Sequence, residues 1–592
     1  MISRQLITWP LMGKRKKMTM TTDHEDPQRN LEEIGRRDHS FTSEYRIFGP
    51  PGCGKTTNLA RQIRRAADKF GAESILVTSF SRTAAAELAG RDLPIPQDRI
   101  GTLHSFCYRA LESPLIAEAN VEAWNQKHPH LQITSANKNQ QLDGEQIAEE
   151  ESEQHHDGDA LLFQLNAARG KMISRDRWPT SLKQFAVQWE EYKRTNRLFD
   201  FCDLIETALH ELDSAPGNPS VIFVDEAQDL NPMQLQLIRK WGSKTKYFIL
   251  SADDDQTILS FTGACPEAVL DPEIPEDHKI ILRQSYRLPR SIHAASQLLI
   301  RQVSRRQEKI YLPSNAEGSC LEIGGTWKSP EYAILKTAVQ QIERGRTVML
   351  LASCRYMLRP LIQVLRKHGI PFHNPYRKSE GFWNPIRFSR GSAANRVLAL
   401  LKAHPDCEER TFWNRNDLQL WIEKMYTRGI LKPGIDIKKI THGGGREPVT
   451  WEFLAEIFDP SALDSLVKAL DGDYRNLLDW WRKCLNASFH PQAQFPINVA
   501  LVSGPQALKQ PPKAIVGTIH SVKGGEADVV FLFPDLSRSA AKAYDGPAST
   551  RDSVIRLFYV GLTRARETVY VCQPASNMTI KMPRDMWSQP VP

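Results

Sequence analysis

The stretch GPPGCGKT, residues 49–56, restricts this chain more than any other. It follows the short apolar run YRIF and precedes TNLARQIRRAADKF, whose apolar residues recur at helical spacing. A strand, a glycine-rich turn and a helix in that order present backbone N–H groups at a helix N-terminus, where they can curl around phosphates. Gly49, Pro50, Pro51, Gly52, Cys53 and Gly54 form the loop. Lys55 can reach the terminal phosphates of a nucleotide, and Thr56, followed by Thr57, can place a hydroxyl on Mg2+. A chance glycine-rich turn is the plain alternative, and the strand–loop–helix order argues against it. The motif specifies a nucleoside triphosphate and says nothing of how its energy is used.

A second carboxylate-bearing element completes the chemistry. VIFVDEAQD is an apolar strand ending in Asp225 and Glu226, at the edge where α/β proteins bind ligands. One carboxylate can hold Mg2+ opposite Thr56 while the next orients and deprotonates the attacking water. A third stretch, SADDDQTILSFTGA (251–264), is ambiguous. Its three aspartates could draw a divalent cation, but consecutive residues point in different directions, and a solvated turn at a strand end accounts for them as well.

Further apolar runs of strand length (SILVTSF, KYFILSA and KIILRQ, then TVMLLAS, VGTI, DVVFLF and TVYVCQ) alternate with helical patterns. Such runs predict parallel strands covered on both faces, and two sets of them predict two α/β sheets. At 592 residues the chain is too long for one core. Residues 106–199 and 386–499 read as helical insertions, the first holding a polar acidic stretch expected to be a mobile loop. No internal repeat is evident. Lys plus Arg number 77 against 69 Asp plus Glu, a balance of +8 that agrees with a polyanionic partner. The nine cysteines include no Cys-x-x-Cys pair, and no apolar run approaches a membrane span, so a cytoplasmic protein with reduced thiols is expected. Residues 1–42 read as a disordered leader, with Met18 and Met20 as alternative starts.

Taken in order, the motifs resemble the UvrD/Rep family of superfamily 1 DNA helicases. Besides the two quoted first, the resemblance rests on TSFSRTAAAEL (78–88), GTLHSFC (101–107), FDFCDLI (199–205), ADDDQTILSFTGA (252–264), LRQSYR (282–287), GTIHSVKGGEADVVFL (517–532) and RLFYVGLTRAR (556–566). It implies two RecA-like parallel-sheet P-loop domains, each with a mainly helical insertion. The first motor would occupy 43–105 and 200–285, with its insertion at 106–199. The second would occupy 286–385 and 500–575, with a short insertion at 386–499 and a tail at 576–592.

The resemblance also implies roles. Gln256 would contact the γ-phosphate or the attacking water, and Arg287 and Arg564 would be arginine fingers supplied by the second motor. Tyr286 would stack on adenine and Glu526 would support the ribose. Phe80, His104 and Phe261 would touch single-stranded DNA, where an aromatic face stacks on any base. Ser105, Thr518 and His520 would contact its phosphates. The acidic triplet would then mainly shape its turn. Leu259 stands where the family has tyrosine, Thr83 where it has lysine, and KGGEAD where it has Lys-Gly-Leu-Glu-Phe. The family's adenine-reading glutamine motif is not visible before the P-loop. The implied activity is ATP- and Mg2+-dependent translocation on single-stranded DNA, 3′ to 5′, with unwinding at junctions between single and double strands. The alternative is a translocase that remodels protein–DNA complexes or serves a partner complex. A monomer or weak oligomer is expected, with a replication or repair protein as possible partner and no membrane. The tryptophans at 413, 421, 451, 480 and 481 are expected to form a small core rather than a nucleic-acid surface.

Overall fold

The computed structural model of the protein describes residues 44–587 except 81, 136–156, 378–381, 387–388, 407–410 and 443. The leader, most of the acidic stretch and the Thr83 side chain therefore lie outside the described residues. The chain forms two units. One runs to Arg287 and includes Val303–Ser314; the other comprises Leu288–Gln302 and everything from Asn315 onward.

The first unit is built on six parallel strands: β1 (Glu44–Phe48), β2 (Ile75–Ser79), β3 (Ile100–Thr102), β4 (Val221–Asp225), β5 (Tyr247–Ala252) and β6 (Lys279–Ile281). Their order across the sheet is β3-β2-β4-β5-β1-β6. Strands β2, β4 and β5 are buried along their whole length, which is why VIFVD and YFILSA read as continuous apolar runs rather than alternating ones. Because neighbours β4, β5 and β1 are parallel and paired in register, they deliver Asp225, the acidic triplet and the P-loop to the same edge.

The second unit repeats the architecture with β7 (Ser319–Ile323), β8 (Val348–Ala352), β9 (Phe372–His373), β10 (Ala514–Thr518), β11 (Ala527–Leu532) and β12 (Ala565–Cys572). All pair in parallel, in the order β7-β12-β11-β8-β10-β9. Two six-stranded parallel sheets flanked by helices are the two RecA-like domains that the sequence predicts.

The insertions differ in how they are held. In the first, Trp124, Phe185 and Trp189 gather with Leu162, Leu165 and Leu182 into a core separate from that of the sheet. In the second, Trp413, Trp421 and Trp481 are fully buried in a cluster continuous with the sheet residues Val348, Leu350 and Phe531. The indole N–H groups of Trp413 and Trp481 donate to the Leu400 and Trp421 carbonyls at 2.9 Å, so these rings are satisfied core, as expected. Trp451 is the exception, half exposed beside Phe412.

FDFCDLI is a structural joint. Asp200 caps the helix Phe201–Glu211 in a reciprocal capping box with Asp203. Asp200 is also bonded by Arg169 at 2.9 Å and by Lys193 at 2.6 Å, which ties this helix to two helices of the first insertion, Asp157–Gly170 and Thr180–Asn196. Burial would raise the Asp200 carboxyl, but the two cations prevail and hold it below its ordinary range. Glu118 accepts the Phe201 N–H with one oxygen, while its buried second oxygen has no hydrogen-bond partner. Burial, and then the charge of Asp200, push Glu118 up to about 8 from 4.5. The folded protein thus keeps a proton that the unfolded chain releases, so this contribution is complete below about pH 4.5 and is lost as pH rises toward about 8. Glu118→Gln should remain folded, match the parent at pH 4, and exceed it increasingly as pH rises to 8, by on the order of 4 kcal/mol at most in urea unfolding. Parallel pH profiles for the two proteins would refute this.

Candidate active site

The P-loop conformation depends on its glycines. Gly52 and Gly54 have φ of 72° and 70°, values that residues with a Cβ rarely adopt. Gly49 has another constraint: a Cβ there would lie 1.9 Å from Cγ of Lys55, whose side chain folds back over the loop. Helix α1 (Lys55–Phe70) starts directly after Gly54, so its first N–H groups face the loop. The Cys53 N–H closes a turn onto the Pro50 carbonyl at 3.1 Å, and burial pushes the Cys53 thiol well up, leaving it a protonated packing group. Thr57 is exposed and its hydroxyl accepts from Arg91 at 3.0 Å.

Lys55 and Glu226 come together as an ion pair, Nζ to Oε1 at 2.9 Å. Burial would lower the lysine, yet Glu226, Asp253 and Asp225 outweigh it and hold Lys55 above its ordinary value. Asp225, only 2 % exposed, is pushed up by burial and then by the adjacent Glu226. It accepts the Glu226 N–H at 3.0 Å. Glu226 has φ of 51°, a left-handed conformation uncommon for a residue with a side chain, at the position where the sequence places the base. The Asp225 carboxylate and Thr56 hydroxyl are hard oxygen donors of the kind Mg2+ takes.

The sequence did not reveal how the carboxylates are wired to Gln256. Gln228, fully buried, donates to Glu226 through its amide nitrogen and accepts the Asp253 N–H at 3.0 Å through its oxygen. Asp253 in turn accepts the Gln256 amide at 2.6 Å. A hydrogen-bonded chain therefore runs from Lys55 through Glu226 and Gln228 to the backbone N–H of Asp253, whose carboxylate holds Gln256. The only hint in the sequence was that glutamines follow the acidic residues in DEAQD and DDDQ.

The structure corrects the solvated-turn reading of the triplet. Asp253, Asp254 and Asp255 are fully buried around Lys309, whose side chain is 0 % exposed and whose Nζ lies 3.2 Å from Asp253 and 2.9 Å from Asp255 and also pairs with Asp254. Arg306 forks onto Asp255, with Nε at 2.8 Å. The position that a divalent cation would take in the alternative reading is filled by an ammonium group. Burial disfavours the lysine charge, but Asp254, Asp255 and Asp253 together hold it well above its ordinary value.

Arg287 requires a second correction. It belongs to the unit that carries the P-loop, not the second one: a Cβ on Gly52 would lie 2.4 Å from Cβ of Arg287. Two hydrogen bonds secure this approach, from the Tyr286 N–H to the Gly52 carbonyl at 2.9 Å and from the Ser285 hydroxyl to the Pro51 carbonyl at 2.8 Å. The Tyr286 ring is 76 % exposed beside the loop, as a stacking platform requires. Arg564, in the second unit, is 1 % exposed and donates to the Val560 and Gly525 carbonyls at 3.0 and 3.1 Å. Glu526 pairs with Arg566.

The residues assigned to DNA show a repeat that the sequence reading missed. GTLHS (101–105) and GTIHS (517–521) each span the end of a strand, β3 in one unit and β10 in the other. In each, the threonine hydroxyl accepts the serine N–H (3.3 and 3.2 Å) and the serine hydroxyl donates to the threonine carbonyl (2.7 and 2.8 Å). Each glycine makes room for that serine, since a Cβ would meet its Oγ at 2.6 or 2.5 Å. Thr518 and Ser105 are therefore not equivalent: Thr518 is buried like Thr102 and serves the turn, while His104 and His520 are partly accessible. Burial lowers His104 to about 4, so it is a neutral ring at pH 7, edge-on to Phe201. Phe80 is partly buried against the core of the first unit, and Phe261 is partly buried near Phe163. Leu259 is core.

A glycine-rich loop after β1, a catalytic-type carboxylate pair after β4 and a second sheet of the same kind define a P-loop motor protein with two RecA-like domains. The UvrD/REP helicase N-terminal domain matches residues 32–274, and the UvrD-like helicase C-terminal domain matches 513–572. The chain belongs to the UvrD-like helicase family. It is 23 % identical over 655 aligned residues to the ATP-dependent DNA helicase UvrD1 of Mycobacterium tuberculosis, covering 92 % of this chain and 81 % of that protein. It is 25 % identical over 299 residues to the ATP-dependent DNA helicase PcrA of Staphylococcus aureus, covering 46 % and 40 % of the two chains. A match to YjcD of Bacillus subtilis, 25 % identical over 289 residues, covers 44 % of this chain and 37 % of that one. Against these last two relatives the match spans well under half of their length. Among the described residues, no helix is long and apolar enough to cross a membrane.

Proposed function

We propose that this protein is an ATP-dependent DNA helicase that moves along single-stranded DNA, 3′ to 5′, and opens duplex at junctions between single and double strands. The observation that supports it best is the Lys55–Glu226 pair, 2.9 Å apart, joined through Gln228 and Asp253 to Gln256 in a chain carrying both UvrD-type domains. Thr56 and Asp225 would hold Mg2+, which offsets phosphate charge when bound. Lys55 and Arg287 bring positive charge to the transferring phosphoryl group, with Arg564 as the further cation assigned by family resemblance. Glu226 accepts the proton of the attacking water, and Gln256 orients that water or the γ-phosphate. The GT[LI]HS turns, with Phe80 and Phe261, supply contacts to a single strand. A cytoplasmic protein, monomeric or weakly associating, acting with a replication or repair partner, fits this role.

Unwinding of 3′-tailed, 5′-tailed and blunt duplexes with ATP and Mg2+ tests the proposal. Strand displacement is expected on the 3′-tailed substrate alone. Preference for the 5′ tail would overturn the polarity. DNA-stimulated hydrolysis without displacement would favour the translocase reading, and no DNA stimulation would reject both.

A further inference from the structure

The segment Val303–Ser314 has an unusual path: the chain arrives from the second unit at Gln302 and returns to it at Asn315, yet this stretch packs into the first unit. Its anchors are Lys309 and Arg306 on the acidic triplet, together with the Gln307 N–H, which donates to Asp254 at 2.8 Å. Three consecutive buried carboxylates cannot persist without such cations, because an unpaired buried charge is strongly destabilising. Asp253 divides its carboxylate: Oδ1 lies 3.2 Å from Lys309, and Oδ2 receives the Gln256 amide at 2.6 Å. The orientation of Gln256 therefore rests on a carboxylate that Lys309 holds in place.

We propose that Lys309 is a positioning residue for ATP hydrolysis: it sets Gln256 through Asp253 and makes that setting depend on a strap whose two ends continue into the second unit. This rests on the reading of Gln256 as the residue that meets the γ-phosphate or the attacking water. It gives the buried triplet a purpose that turn formation alone does not require, and it supplies a covalent route by which a displacement of the second unit would be felt at the hydrolytic site.

The test compares full-length wild type, Lys309→Met, Gln256→Ala and the double variant, reading kcat and KM for ATP in DNA-stimulated phosphate release alongside thermal melting. Lys309→Met should lower kcat about 10- to 100-fold, with KM for ATP within about twofold of wild type. The double variant should be no slower than the slower single variant, because both changes disable one device. If Lys309→Met loses its melting transition, Arg306→Gln takes its place, with the same pattern of lowered kcat and non-additivity expected. A folded variant of either kind with wild-type kcat overturns the proposal, as do losses that multiply in the double variant. Normal hydrolysis by Gln256→Ala would instead remove the Gln256 reading, and this proposal with it.

Discussion

Glu226→Gln is expected to slow DNA-stimulated ATP hydrolysis by about 10²- to 10⁴-fold while leaving nucleotide affinity within a few-fold of wild type. The substitution keeps the size and hydrogen-bonding reach of the side chain and removes only its ability to take a proton. It also removes the charge that pairs with Lys55 at 2.9 Å, so the lysine is freer to meet phosphate and binding is not weakened. The left-handed backbone at Glu226 is compatible with glutamine as with glutamate, so the loss can be assigned to chemistry rather than to folding. Single-turnover hydrolysis and titration with a fluorescent nucleotide separate the two quantities. A rate within fivefold of wild type would show that another group is the base.

Arg287→Ala should lower kcat by about 10³-fold, the order expected for a cation that stabilises a transferring phosphoryl group. The geometry supports a large effect because the Arg287 backbone is fixed against the P-loop at Gly52, where there is no room for a Cβ. Arg287→Lys should recover only part of the rate, since an ammonium keeps the charge and loses the planar fork of donors. Steady-state kinetics at saturating ATP and DNA decide this. A loss confined to KM would make Arg287 a ground-state binding residue, and no loss would remove it from the site.

The parts of the site that were legible in the sequence are those whose chemistry is local. GPPGCGKT states its function because three glycines, a lysine and a threonine act at fixed offsets within one turn, and positive φ at Gly52 and Gly54 is the reason for two of those glycines. The strands β2, β4 and β5 were legible because a strand buried on both faces must be apolar throughout. Trp413 and Trp481 of the second insertion followed the ordinary fate of large rings, burial with the indole N–H bonded to a carbonyl.

What was misread depended on partners distant along the chain. DDD resembles a solvated turn until Lys309 and Arg306, more than fifty residues later, are brought against it. Gln228 gave no sign of bridging Glu226 and Asp253, because those residues meet only where β4 and β5 lie side by side. The GT[LI]HS repeat is five residues long and was hidden by more than four hundred intervening ones; it became recognisable once both copies were seen to end a strand with the same pair of hydrogen bonds. Residue order alone thus determined the nucleotide loop and the carboxylate pair, each written within a few consecutive residues, and the class of protein, written in the order of several such motifs along the chain. Tertiary structure decided which unit holds Arg287, what neutralises the acidic triplet and what orients Gln256, because charge in a buried site is balanced by whatever the fold places nearby, at any distance along the chain.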